Sequence, residues 1–145
     1  MEDTLHYLLM VNHLSVQKQL FANLKATDLT LGQPKVLDYL SGHDGAVQKE
    51  IASACHIEPA SLTSILNGME KKGLIIRKMR EDNRRYLYVY MTEKGREAAG
   101  LVNAAFEEIE HAALEGFSEE EKEMLLMFLT RIHTNFKDRK KDTND

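Results

Sequence analysis

Cysteine occurs once, at Cys55, and proline twice, at Pro34 and Pro59. A lone cysteine excludes an internal disulfide framework and fits a reducing cytoplasm, the compartment expected here. No apolar run approaches the roughly 18 residues of a membrane-spanning helix, so no membrane partner is expected. The opening "MEDTLHYLLMVNHL" begins acidic and soon meets polar residues, unlike a secretory leader. Internal repeats and low-complexity segments are absent. So are a glycine-rich phosphate loop, a nucleophile elbow and a convincing acid/base pair. His6, His13, His43, His56, His111 and His133 make no close ligand pair with a carboxylate at metal spacing. No catalytic residue, metal or cofactor is assigned, and an enzyme is not expected.

What is present fits one globular domain: 145 residues, 43% apolar and 29% charged. "LHYLLMVNHLSVQKQLFANL" carries Leu5, Leu8, Leu9, Val16, Leu20 and Leu24 at helical spacing and predicts a long first helix ending near Ala26. Thr30 and Gln33 have the spacing of a capping box ahead of "LDYL", and Pro34 falls in the first turn, where proline is tolerated best. Val36, Leu37 and Leu40 should face inward, and "SGHDG" should be a loop. "AVQKEIASACHI" reads as a short helix with Val47, Ile51 and Ala54 or Cys55 on one face. Glu58 is placed to cap the next helix, whose first position is Pro59 and whose buried stripe is Leu62, Ile65, Leu66 and Met69. Gly73 is the expected C-terminal glycine. Two short helices joined by about three residues form a helix-turn-helix.

"LIIRKM" and "RYLYVYM" then read as two strands around the turn "REDNR". Leu87, Val89 and Met91 share one face of the second strand, and Tyr86, Tyr88 and Tyr90 the other. A strand pair does not stand alone in water, so it must pack on the helix-turn-helix. Thr92 starts a further long helix. Ser118 and Glu121 form a capping box for the last one, whose apolar stripe is Leu125, Phe128, Leu129, Ile132 and Phe136. The polar tail "KDRKKDTND" should fray. The fold class is mainly α with a small antiparallel β-hairpin: a winged helix-turn-helix over 30–91, flanked by long helices over 1–29 and 92–140, all within one domain, 1–145.

Charge is segregated along this chain. Lys71, Lys72, Arg77, Lys78, Arg80, Arg84 and Arg85 face only Glu81 and Asp82, a local balance of +5; the rest carries −9 against a total of −4. Much of the negative balance lies in "FEEIEHAALEGFSEEEKE". Cations concentrated on a hairpin that directly follows a helix-turn-helix are the footprint of a nucleic-acid-binding face. Phosphate attraction is local, so an acidic chain is no obstacle to it.

"LTLGQPKVLDYL", "KEIASACHIEPASLTSILNGMEKKGLI" and "NRRYLYVYMTEKGRE" resemble the winged helix of the multiple antibiotic resistance regulator (MarR) family, over roughly 30–97. The resemblance implies a bacterial homodimeric transcription factor, usually a repressor, on a pseudo-palindromic double-stranded operator. It also implies release by a small molecule, often phenolic. The family's wing pattern Asp-x-Arg falls on Asn83-Arg84-Arg85, which makes Arg85 the minor-groove arginine with asparagine in the acidic place. Asp82 and Arg84 spell the same pattern one residue out of register. Ser64 stands where an arginine or lysine is common, and Cys55 where a core leucine is usual.

Removing the buried stripe from the second helix of the motif leaves Pro59, Ala60, Ser61, Thr63, Ser64 and Asn67 for the major groove. Ser61, Thr63, Ser64 and Asn67 can hydrogen-bond bases or phosphates, and Ala60 can touch a thymine methyl. With Lys71, Lys72, Arg77, Lys78, Arg80, Arg84 and Arg85 they make the candidate DNA-binding set. The outer helices carry more apolar surface than the winged helix can cover, and a two-fold dimer would bury it. The competing reading is a winged helix used as a protein-interaction module, which has no need of such cation density.

Overall fold

The structure, a computed structural model, describes residues 1–143. Its elements run α1 (Leu5–Asn23), α2 (Gln33–Gly42), β1 (Ala46–Val47), α3 (Gln48–Cys55), α4 (Pro59–Lys71), β2 (Ile75–Arg80), β3 (Asn83–Met91), α5 (Glu93–Ala113) and α6 (Glu119–Thr143). The chain divides into two compact units, Met1–Ile109 and Glu110–Asp145.

In the first unit the core is aliphatic. Val36, Leu37 and Leu40 of α2, Ile51 of α3, Leu62, Leu66 and Met69 of α4, and Ile75 and Val89 of the sheet are sealed from solvent. Cys55, not Ala54, completes the inward face of α3. Val102, Ala105 and Ile109 of α5, with Leu20 and Leu24, close the same cluster. Leu5, Leu8 and Leu9 stay exposed, so α1 meets that core through its C-terminal half, from Val16 to Leu20.

Three local expectations are corrected. The first helix stops at Asn23 and is followed by a turn closed by Thr27 N–H on the Leu24 carbonyl. Thr30 is not the cap of α2: that position is Gly32, in the left-handed region at φ 89°, with Thr30 two residues earlier and its carbonyl accepting the Gln33 N–H. Only half of the predicted box forms, Thr30 N–H donating to Gln33 Oε1 at 3.0 Å. Ala46–Val47 is a strand rather than the start of a helix, and it makes the sheet three-stranded in the order β1-β3-β2, all antiparallel. Gly45, at φ 83°, turns the chain into β1 and donates its N–H to the Val89 carbonyl at 2.8 Å. Asp44 Oδ1 accepts the Met91 N–H at 2.8 Å.

The wing is regular near its base and irregular beyond. Ile75 to Lys78 pair with Met91 to Tyr88, then the register shifts and Arg80 pairs with Asn83 around a two-residue turn, Glu81–Asp82. Leu87 falls in the irregular part, past the helices that cover Val89 and Met91, and is exposed rather than inward.

In the second unit, Gly116 at φ 85° ends the turn after α5. The Ser118 capping box forms in both directions: Ser118 N–H to Glu121 Oε1 at 2.9 Å and Glu121 N–H to Ser118 Oγ at 3.1 Å. These bonds hold the Glu121 carboxyl below its ordinary value, the backbone N–H first. Helix α6 runs on to Thr143, so the frayed tail expected from 137 is helical over most of its length; 144 and 145 lie outside the described residues.

Candidate nucleic-acid interface

The turn from α3 to α4 sets the aim of α4. His56 takes the left-handed conformation usually left to glycine (φ 53°), and Ile57 N–H reaches back to the Ala52 carbonyl at 3.0 Å. Pro59 then opens α4 with a preset φ. At the other end Gly73 N–H bonds Glu70 O at 3.0 Å and Leu74 N–H bonds Met69 O at 2.9 Å, the paired bonds of a Schellman motif. Glycine is required at 73 by its φ of 76°.

Pro59, Ala60, Ser61, Thr63, Ser64 and Asn67 are all exposed on one side of α4. They are not equally available. Thr63 Oγ1 donates to the Pro59 carbonyl and accepts from Gln48 Nε2, both at 3.0 Å. Asn67 Oδ1 accepts from Arg77 Nη2 at 2.6 Å, leaving its amide nitrogen. Ser61, Ser64 and Ala60 present side chains with no protein hydrogen bond among the described residues.

The seven cations separate into four kinds. Lys72 is structural: its Nζ donates to the Asp28 carbonyl and to Gln33 Oε1, the latter at 2.8 Å. Arg77, whose side chain is only 15% exposed, joins the wing to α4 through Glu70 (3.0 Å) and Asn67. Lys78 and Arg80 lie over the tyrosines of β3. Lys78 Nζ is 4.7 Å from the Tyr90 ring centre, and the Arg80 guanidinium carbon is 4.0 Å from that of Tyr88 and 6.0 Å from that of Tyr90. Arg80 Nε donates to Tyr90 Oη at 3.0 Å, which raises the guanidinium's proton affinity further above its usual value. Lys71, Arg84 and Arg85 are exposed. Asn83 Oδ1 meets Arg85, but through the Arg85 backbone N–H at 3.2 Å rather than its guanidinium.

Several positioning residues gave no warning in the sequence. Gln33 is 3% exposed and receives both Thr30 N–H and Lys72. A Cβ at Gly32 would lie 2.5 Å from Ile65 Cδ1, and one at Gly68 would lie 3.2 Å from Gln33 Nε2, so α2 and α4 meet through two glycines. The Tyr88 and Tyr90 contacts had a legible signal, since basic residues on one strand face tyrosines across a hairpin. The Gln33 contacts had none, because they depend on which helix lies alongside.

Cys55 is buried. Burial pushes its thiol above the ordinary value, Lys35 opposing and Asp38 adding to the rise. A thiol so placed is a core residue and a poor nucleophile. No helix among the described residues is long and apolar enough to cross a membrane.

A helix-turn-helix followed at once by a sheet whose hairpin carries most of the local cations defines a winged helix-turn-helix protein. The family model of the MarR family matches residues 29–87. The uncharacterized HTH-type transcriptional regulator YybA of Bacillus subtilis (strain 168) is 29% identical over 111 residues, 77% of this chain and 74% of that protein. A MarR family transcriptional regulator from Listeria monocytogenes, complexed with 26mer DNA, superposes with a TM-score of 0.86 at 26% identity, covering 96% of this chain and 92% of that one. MepR of S. aureus, in a DNA complex, gives a TM-score of 0.81 at 29% identity, covering 92% and 98%. Residues 29–87 thus carry a MarR-family winged helix-turn-helix, and over nearly its whole length the chain has the fold of MarR-family transcriptional regulators.

Proposed function

We propose that this regulator binds a pseudo-palindromic duplex operator as a homodimer, acts as a repressor, and is released by a small aromatic molecule. The observation that carries the DNA-binding part is the exposed face of α4, bare of protein partners at Ala60, Ser61 and Ser64, flanked by a wing with exposed Lys78, Arg80, Arg84 and Arg85. The similar Listeria and S. aureus structures hold DNA. Two such faces related by a two-fold axis would meet successive major grooves about 34 Å apart. Support for the dimer comes from apolar side chains left in solvent, among them Leu5 and Leu14 of α1 and Leu126, Met127 and Phe136 of α6. The effector rests on kinship with the family, in which phenolic compounds are frequent ligands.

Selection of duplexes from a random pool by the purified protein tests the reading directly. A two-fold-symmetric motif, bound with steep salt dependence, is the expected result. Enrichment of no sequence, with no salt dependence, would leave the protein-interaction module as the better account. A phenolic acid that raises the melting temperature and lowers operator affinity would identify the effector class.

A further inference from the structure

The arginines of the wing differ in how they are held. Arg77 has its guanidinium bonded to Glu70 and Asn67 and turned toward α4. Arg84 and Arg85 extend from the turn, with Asn83 touching only the Arg85 backbone. Arg80 combines restraint with access. Its side chain is exposed, its guanidinium carbon lies 4.0 Å from the Tyr88 ring centre, and its Nε is fixed by Tyr90 Oη. Among the described residues nothing in the protein occupies its Nη1 or Nη2. The tyrosines are themselves held. Tyr88 pairs with Lys78 on one side and Val47 on the other. The Tyr90 ring rests on Gly45, where a Cβ would come within 2.8 Å of Cε1. Asp82 lies near enough to favour the cation, without a hydrogen bond to it.

We infer that Tyr88 and Tyr90 are positioning residues, which hold Arg80 as a preformed phosphate-binding fork on the outer face of the wing. The inference rests on the DNA-binding reading above. An arginine free in solution must be immobilised when it meets a phosphate, and that entropy counts against binding. Here the stack and the Tyr90 hydroxyl have restricted the side chain before DNA arrives. The two terminal amino groups remain, and a planar pair of N–H donors matches two phosphate oxygens. The wing's affinity should therefore depend on two tyrosines that need not touch DNA.

The test uses the full chain and a fluorescent mixed-sequence duplex, titrated at a series of sodium chloride concentrations, since phosphate contacts are sequence-independent. Arg80→Ala should weaken binding and reduce the salt slope by about 0.9 for each phosphate that is no longer neutralised. Arg80→Lys should restore most of the slope, because the charge returns, and only part of the affinity. Tyr90→Phe keeps the ring over Gly45 and removes the hydroxyl. It should lower affinity by roughly two- to tenfold, the range of one hydrogen bond, with the slope unchanged. The decisive measurement is Tyr90→Phe in the Arg80→Ala background, where no further loss is expected. An equal loss in both backgrounds would show that Tyr90 acts on the fold or on DNA directly, and overturns the inference. So does unchanged affinity and slope in Arg80→Ala while the unaltered protein binds. Failure of the unaltered protein to bind any duplex would instead overturn the DNA-binding reading, and this inference with it.

Discussion

Helices α4 and α6 carry apolar residues at the same helical spacing, yet they end in opposite states. In α4, Leu62, Leu66 and Met69 are sealed against α2, α3 and the sheet. In α6 no described side chain is fully buried; Phe128 and Leu129 are 44% and 40% exposed and Phe136 65%. Helix α1 shows both states along its length, from Leu5 and Leu14 in solvent to Leu20 in the core. Periodicity therefore reports which face of a helix is apolar, and not whether the same chain supplies its cover. The winged helix closes its core with help from the end of α1 and from α5, while the stripe of α6 stays open, an arrangement that the second copy proposed above would complete.

The contrast is sharpened by changing the same kind of side chain in each region. Leu66→Ala removes a sealed residue from α4 and should cost about 2–5 kcal/mol of unfolding free energy, read from urea denaturation. Leu125→Glu with Phe128→Glu should leave the winged unit folded by circular dichroism while converting dimer to monomer or aggregate in sedimentation, with tight operator binding lost. A dimer that persists would break the comparison at its centre. Arg85→Ala lies on neither apolar face. It should preserve oligomeric state and melting temperature, and weaken DNA binding with a salt slope shallower by about 0.9 per phosphate. Cys55 should resist alkylation at neutral pH in the folded protein and react on unfolding, because burial keeps it a thiol. The smallest effect belongs to the α6 cap. The Glu121 carboxyl is held below its ordinary value, so its contribution is present above the unfolded pKa and fades as pH falls through the lowered folded one. Glu121→Gln should make the acid side of the melting-temperature profile slightly flatter.

Much of the winged unit was legible because its signals are local. The inward face of α2, the stripe of α4, Gly73 as the end of that helix and the Ser118–Glu121 box each depend on residues within a turn or two of one another. Features that depend on distant partners were not. Strand β1 is two residues long, too short to show alternation, and exists because Val89 and Tyr88 offer it a ladder. Gln33 makes its half of the expected box and is also a buried acceptor for Lys72, a second role that its spacing does not show. The same bond withdraws Lys72 from the basic surface, which charge counting alone could not reveal. Spacing placed Pro59, Ala60, Ser61, Thr63, Ser64 and Asn67 on the exposed face of α4, where they lie. That Thr63 and Asn67 are already engaged follows from Gln48 and Arg77, which come from other elements.

The junction where α5 begins has a mechanical meaning. A Cβ at Gly95 would lie 2.0 Å from the Leu74 carbonyl oxygen. Around that point Thr92 N–H meets Leu74 O at 3.0 Å, Thr92 Oγ1 meets Gly73 O at 2.6 Å, and Lys94 Nζ meets Lys72 O at 2.6 Å. The root of α5 is thus bolted to the corner that ends α4 and starts the wing. A joint with so little play transmits motion rather than absorbing it. A tilt of α5 would carry α4 and the hairpin together, as the short arm of a rigid lever, and would change their direction while leaving their internal shape intact.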